Sequence, residues 1–421
     1  MRNSLTAFAV AGLVALPACG SSDWVSRSSA ETRDFPRAPA AAQALNMVED
    51  QGFDSWLSGF RGRAMAQGIS PRTFDTAFAG VGYVPEVIQR DRNQAEFTRT
   101  IWQYLDSAVS DTRIENGRKA LAENRRVLDE IEAHYGVERE VVVAVWGMES
   151  SYGSHRGTMP VIPSLATLAY DGRRGAFFEQ QLVAALKIIQ AGDVDARHMT
   201  GSWAGAMGHT QFIPTSYLLY AVDFHGDGKR DIWSDDPSDA LASTAAYLAR
   251  SGWTRGQPWG VEVVLPAGFN HSLAGKGTRK SVAEWSSLGI RSADGTRLRD
   301  HGAASVLQPA GANGPAFLIF NNFRAISRYN AADSYVLGVG HLSDRLKGGG
   351  PFLTAWPRTD RALTQSERTE LQQRLARAGF DPGSADGKIG PDTIAAIRGY
   401  QVASGMTPDG YPSYDLLDRL R

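Results

Sequence analysis

Apolar residues recur every three to four positions along most of this chain, a pattern that predicts a largely helical protein. From Leu45 onward, Phe53, Trp56, Leu57 and Phe60 fall on one helical face, and Ser70-Pro71 opens a second helix with proline at its first position. The spacing predicts a helix over Phe97–Val109, with Ile101, Trp102, Leu105 and Val109 together. It predicts one long amphipathic helix over Asn116–Tyr135, with Leu121, Val127, Leu128 and Ile131 inward and Gly136 as its stop. Further helices are expected at Ser164–Ala169, Gly175–Ala191, Pro214–Asp223, Asp239–Ser251 and Ala332–Leu346. Gly260–Leu265 and Ala316–Phe320 read as strands, with a short helix at Ser281–Ser287 between them.

One stretch departs from the amphipathic pattern. Val141–Tyr152 (VVVAVWGMESSY) is apolar on every face as far as Gly147 and then presents a single carboxylate, Glu149. An element without a polar face is buried on all sides. A carboxylate kept in such a place is costly unless paired or protonated.

Lys347–Arg361 breaks the pattern with Gly348-Gly349-Gly350-Pro351 and Pro357, which marks a linker. Beyond it a small unit is expected, with helices over Gln365–Ala378 and Pro391–Ser404 and Ser413 capping a third. Gly379-Phe380 with Asp386-Gly387, and Gly405 with Asp409-Gly410, form a weak internal repeat. The organisation read from the chain is 1–18 a signal segment, 19–44 a flexible tether, 45–346 a main domain, 347–362 a linker and 363–421 the small unit.

Composition narrows the class. The net charge is −1 over 421 residues, and no Lys/Arg stripe is present, so no nucleic-acid partner is expected. The only cysteine is Cys19, so no intramolecular disulfide is possible. Arg2 followed by the apolar run Leu5–Leu16 reads as a short secretory signal. Leu16-Pro17-Ala18-Cys19-Gly20 resembles a bacterial lipoprotein box, which makes Cys19 the lipidated residue and the membrane a partner through that anchor. An ordinary signal peptide with an incidental cysteine is the plainer alternative. No other segment is long and apolar enough to span a bilayer.

Glu149 is the first candidate for chemistry. At the end of a buried helix, burial and the negative pole of the dipole both disfavour the anion, which suits a general acid near neutral pH. A structural glutamate bonded to a loop is the competing reading. The second candidate is Gly201-Ser202-Trp203-Ala204-Gly205-Ala206-Met207-Gly208-His209-Thr210-Gln211-Phe212. Its glycines are expected to let the backbone approach a ligand closely, with Ser202 and Gln211 as neutral partners for a polyhydroxyl ligand. A tight packing loop is the alternative. Phosphate loops, nucleotide fingerprints and zinc-spaced His/Cys clusters are missing from the sequence. Glu149 has no second carboxylate in its motif, whereas glycosidases that hydrolyse normally use two.

The GMESSYG segment around Glu149, GSWAGAMGHTQFIPTSY, and Arg328-Tyr329-Asn330 together resemble the B-type membrane-bound lytic murein transglycosylases, in the same order from about Leu45 to Leu346. The resemblance implies a mainly α fold: a lysozyme-like helical catalytic domain with a small β-containing insertion. It implies non-hydrolytic cleavage of the MurNAc–GlcNAc β-1,4 bond of peptidoglycan, leaving 1,6-anhydro-MurNAc ends, with Glu149 as acid and then base. It carries Ser202, Gln211, Tyr104, Tyr247, Tyr329 and Asn330 to the groove. Tyr335 and the pair Arg173-Arg174 are candidates for contacts to sugar or to stem-peptide carboxylates. Each tyrosine has core filling as its alternative role.

Asp223-Phe224-His225-Gly226-Asp227-Gly228-Lys229-Arg230-Asp231 is similar to the calcium loop of related transglycosylases, with Asp223, Asp227 and Asp231 as candidate ligands. It departs at its third position, His225, and at its twelfth, Ser234 in place of Glu. Asp235, Asp236 and Asp239 are the candidates for the missing carboxylate. The expectation is therefore no required cofactor, with calcium as a structural option. Leu371–Leu420 resembles the small three-helix peptidoglycan-binding domain of wall enzymes, through Leu371-Gln372-Gln373-Arg374-Leu375, Gly379-Phe380, Asp386-Gly387-Lys388-Ile389-Gly390, Thr393-Ile394-Ala395-Ala396-Ile397 and Tyr400-Gln401. The expected partners are glycan strands and the membrane, and the expected state is a periplasmic monomer. Gly20 lacks the aspartate retention signal, which by the sorting rule for such lipoproteins points to the outer membrane of a Gram-negative cell. A hydrolytic muramidase and a non-catalytic wall-binding scaffold remain the competing functions.

Overall fold

The computed structural model describes residues 44–93 and 99–421. The signal, the lipoprotein box with Cys19, the tether up to residue 43 and the start of the Phe97–Val109 helix lie outside the described residues. The fold is mainly helical. It divides into two compact units: 44–93 with Val145–Tyr247, and 99–144 with Leu248–Arg421.

The first unit is built around the helix Val161–Asp171, in which every residue from Val161 to Ala169 is buried. Its polar members are satisfied inside: Ser164 Oγ donates to the Pro160 carbonyl (2.7 Å), and Thr167 Oγ1 accepts from Val84 N (3.1 Å). The helix Gln51–Ala66 starts on Asp50, whose carboxylate accepts from Phe53 N, and buries Phe53, Phe60 and Ala64. Ser70 caps Pro71–Ala77 as expected. The helix Pro85–Arg92 was not expected from the pattern. β1 (Met159–Pro160) and β2 (Thr200–Gly201) form a two-stranded antiparallel pair too short to leave a periodic signal.

The second unit holds the expected insertion. β3 (Gly260–Val264), β4 (Arg291–Ser292), β5 (Ser305–Leu307) and β6 (Ala316–Ile319) form an antiparallel sheet in the order β4-β3-β6-β5. Gly260 pairs with Ile319 and Val263 with Ala316, so the two strands expected from sequence are the central ones. Trp285, Val306 and Leu318 fill the core on this sheet. The expected long helix Asn116–Tyr135 is in fact two, Asp111–Glu123 and Arg125–Tyr135. Asn124 breaks it: the residue leaves helical geometry, and its side chain donates to the Ala120 carbonyl at 3.0 Å. This competition with the backbone is why asparagine is a weak helix-interior residue.

The C-terminal helices Gln365–Arg377, Pro391–Ala403 and Tyr414–Leu420 pack on Leu371, Leu375, Ile397, Leu416 and Leu417. The sequence repeat here has a physical basis. Gln372 Oε1 accepts from Gly387 N at 2.8 Å, and Gln401 Oε1 accepts from Gly410 N at 2.9 Å. Each helix thus clamps the next turn with one buried glutamine. The linker is bound along its length within this unit. Leu353 N and Thr354 N donate to Glu262, Phe352 stacks on His341 at 3.8 Å, and Arg358 pairs with Asp106.

Candidate active site

The helix Arg139–Ser150 carries Glu149 one residue from its end. Val141 to Val145 are at most 2% exposed. Glu149 as a residue is half-buried, more open than a fully apolar surround would leave it. The chain turns sharply just after it: Ser151 and Tyr152 have φ of 50° and 59°. Non-glycine residues enter this left-handed region at a cost of about 1–2 kcal/mol each. The turn folds the Tyr152 ring back over Gly147, where a Cβ would lie 2.6 Å from two ring carbons. Only glycine admits that approach.

The 201–212 loop lies in the same unit as Glu149. Its glycines are required by packing within the fold, the role given from sequence as the alternative. A Cβ at Gly201 would meet the Ala206 carbonyl oxygen at 2.3 Å, and one at Gly208 would meet that of Ile232 at 2.2 Å. They pack the loop against its own fold. Ser202 Oγ accepts from Ala206 N (3.1 Å) and Ala204 N (3.4 Å), which leaves its hydrogen to donate. Gln211 sits at φ 53°, and its amide nitrogen donates to the carbonyls of Arg156 (3.0 Å) and Gly208 (2.9 Å). Its carbonyl is thereby oriented by the loop. Tyr247, also in this unit, packs its ring on Tyr220 at 4.2 Å and on Phe212 at 5.9 Å.

His209 was not singled out from sequence. It is 4% exposed, with its ring nitrogens facing Trp146 and Ser234. Burial holds the imidazole down at about 4 against the pull of the Ser234 carbonyl, and the Arg156 guanidinium adds to the depression.

The other site residues fall elsewhere. Arg173 and Arg174 both bind the buried carboxylate of Asp91, at 2.5 and 3.2 Å. Tyr104, Tyr329, Asn330 and Tyr335 belong to the second unit. There Tyr329 and Tyr335 stack at 6.5 Å with ring planes 11° apart, Tyr335 being 5% exposed. Asn330 ends the helix Asn321–Tyr329, and its Oδ1 accepts from Ala332 N at 3.0 Å.

The aspartates of the 223–231 loop are turned onto backbone donors. Asp223 accepts from Gly226, Asp227 and Gly228 N, Asp231 from Trp233 and Ser234 N, and Asp239 from Phe224 and Asp231 N. No group of three or more His, Cys, Asp or Glu side chains able to hold a metal ion is assembled among the described residues. His225 stands at the third ligand position of this loop and Ser234 at the twelfth, in place of a carboxylate.

These features define a lysozyme-like helical enzyme of the lytic transglycosylase class with an appended peptidoglycan-binding module. The chain belongs to the transglycosylase SLT family, whose domain it matches over residues 52–344, and it matches a peptidoglycan binding domain over 364–420. It is 31% identical over 326 residues to the membrane-bound lytic murein transglycosylase B of Escherichia coli K12, covering 73% of this chain and 83% of that one. It is similar to SltB3 of Pseudomonas aeruginosa, solved in complex with NAG-anhNAM-pentapeptide, at 55% identity and TM-score 0.86, covering 88% of this chain and 100% of that one. The Escherichia coli lytic transglycosylase Slt35, solved in complex with calcium, is 26% identical with TM-score 0.60, covering 73% of this chain and 96% of that one.

Proposed function

We propose that the chain cleaves the MurNAc–GlcNAc β-1,4 bond of peptidoglycan without consuming water, through Glu149 alone. Glu149 gives its proton to the glycosidic oxygen as the bond to C1 breaks. The carboxylate so formed takes the proton of the MurNAc C6 hydroxyl, whose oxygen attacks C1 of the same sugar. The C1–O bond to the leaving sugar is replaced by a C1–O6 bond, and Glu149 ends protonated as it began. An intramolecular nucleophile held in place replaces an activated water, so no second carboxylate is needed.

The observation that carries this reading is the setting of Glu149. One carboxylate stands at the end of a rigid helix, in a unit whose glycine-rich loop offers a hydroxyl and an amide but no Asp or Glu. Ser202, Gln211, Tyr247, Tyr104, Tyr329, Asn330 and Tyr335 are the groups we assign to sugar binding. Arg173 and Arg174, with part of their charge spent on Asp91, are assigned to the stem peptide. The complex of the related SltB3 with NAG-anhNAM-pentapeptide supports an anhydro product here. Digestion of sacculi followed by mass spectrometry tests it: anhydro ends are expected, and reducing ends alone would establish a muramidase.

The C-terminal module holds the enzyme to the glycan, and no cofactor is required. We further propose a monomer anchored to the outer membrane through lipid on Cys19. The membrane-bound name of the 31% identical relative supports the attachment to a membrane. Cys19→Ser is expected to move the protein from the membrane to the soluble periplasmic fraction.

A further inference from the structure

We propose that His209 is a positioning residue for Glu149: it ties the last turn of the catalytic helix to the 201–212 loop and so fixes where the carboxylate stands. This rests on the reading of Glu149 as the acid. Two bonds make the tie, from residues on either side of Glu149. Trp146 Nε1 donates to His209 Nδ1 at 3.1 Å, and Ser150 Oγ donates to the His209 carbonyl at 2.5 Å. Ser150 Oγ in turn accepts from Gly153 N at 2.9 Å, so the left-handed turn is closed by the same hydroxyl.

The far side of the imidazole is anchored too. An indole N–H can only donate, so Nδ1 must be the unprotonated nitrogen and Nε2 carries the hydrogen. Nε2–H donates to the Ser234 carbonyl at 2.7 Å. The Arg156 guanidinium lies 3.3 Å from Nε2 and itself donates to the carbonyls of Trp233 (2.9 Å) and Ser234 (2.6 Å). A second proton on the ring would face the Trp146 N–H and this cation. The ring therefore stays neutral in one tautomer. With both nitrogens engaged and the ring buried, His209 neither exchanges protons in the reaction nor touches the sugar. Its effect is on geometry, and catalysis by a fixed acid is sensitive to displacements of about 1 Å.

The test compares His209→Ala, His209→Asn and Trp146→Phe in the full-length protein, with Glu149→Gln as reference. Initial release of muropeptides is measured at limiting and saturating sacculi. Asparagine places a carbonyl oxygen near the Nδ1 position and keeps the acceptor for Trp146. Phenylalanine keeps the ring packing but removes the donor. His209→Ala and Trp146→Phe are each expected to lower kcat about tenfold or more with KM within about twofold, and His209→Asn to recover most of the loss. The proposal is overturned if Trp146→Phe and His209→Ala keep kcat within about twofold of the parent, or if His209→Asn is no better than His209→Ala. Should His209→Ala fail to fold, Trp146→Phe and His209→Asn decide alone. Flat values with an inactive Glu149→Gln remove only the role of His209. An active Glu149→Gln removes the acid assignment itself, and the proposal with it.

Discussion

The ring of Tyr152 lies directly over Gly147, so close that a Cβ at Gly147 would sit 2.6 Å from it. Glu149 lies between these two residues in the chain, and the contact sets the path of the backbone that carries it.

Gly147→Ala should therefore force the Tyr152 ring away and open the turn. Overpacking of this kind costs about 1–3 kcal/mol. The expected outcome is a chain that still folds, melts a few degrees lower, and loses about tenfold or more in kcat. Wild-type turnover in this variant would show that the turn does not govern Glu149.

How much of this was legible in the sequence differs by element. Long periodic segments were: Gly175–Ala191 was expected with the bounds observed. The core helix Val161–Asp171 was recognised only in its middle, because a helix buried on all sides has no polar face to give it a period. Asn124 was read through, since one weak helix former does not interrupt an apolar stripe. Glu149 was legible because it ends an apolar run. His209 was not, because its partners Trp146, Ser150 and Ser234 are far away in sequence and no local pattern links them. The glycines of the 201–212 loop were seen, but whether they face a ligand or Ile232 is decided only by the fold.

Asp344 provides a pH test of the second unit. Burial raises its carboxyl to about 6, although its Oδ2 accepts from Trp259 Nε1 at 2.8 Å. The unfolded group ionises near 3.8, so the folded state holds a proton that the unfolded state has lost between the two values. The stability from this group is full below the lower value and is lost as pH rises through the upper one. A difference of about two units corresponds to roughly 3 kcal/mol. Asp344→Asn, neutral at all pH and still an acceptor for Trp259, is expected to stabilise the protein at about pH 7 and to give no gain at about pH 4. Denaturant melts at the two pH values check this; an equal effect at both would contradict it.

Asp409 and Asp386 occupy matching turns of the C-terminal repeat but differ in reach. Each accepts from the second residue after it, Tyr411 N and Lys388 N respectively, at 2.9 Å. Asp409 also accepts from Gln401 Nε2 (2.7 Å) and, through Oδ2, from Ala312 N (2.8 Å). Asp409→Ala is expected to cost about 1–3 kcal/mol more than Asp386→Ala, because it leaves the Gln401 amide and Ala312 N, both partly shielded from water, without their acceptor. Hydrogen exchange should show the turn Gly311–Asn313 loosened by the first substitution and not by the second. Equal protection in both would mean that Asp409 makes no such link.

The 223–231 loop is closed by its own backbone, so calcium should not stabilise the protein. A site filled to about 100 times its Kd would add about 2.7 kcal/mol, which is a shift of several degrees. The expected melting temperature is the same in calcium and in chelator; a rise of that size would show that the loop rearranges to bind.

In the proposed mechanism Glu149 alone performs both proton transfers and no water enters. Mass spectrometry of sacculi digested in H2(18)O by the parent and by Glu149→Gln tests it most directly. The expected products are 1,6-anhydro-MurNAc ends without the heavy isotope from the parent and none from the variant. Reducing MurNAc ends carrying the isotope, or undiminished cleavage by Glu149→Gln, would contradict it.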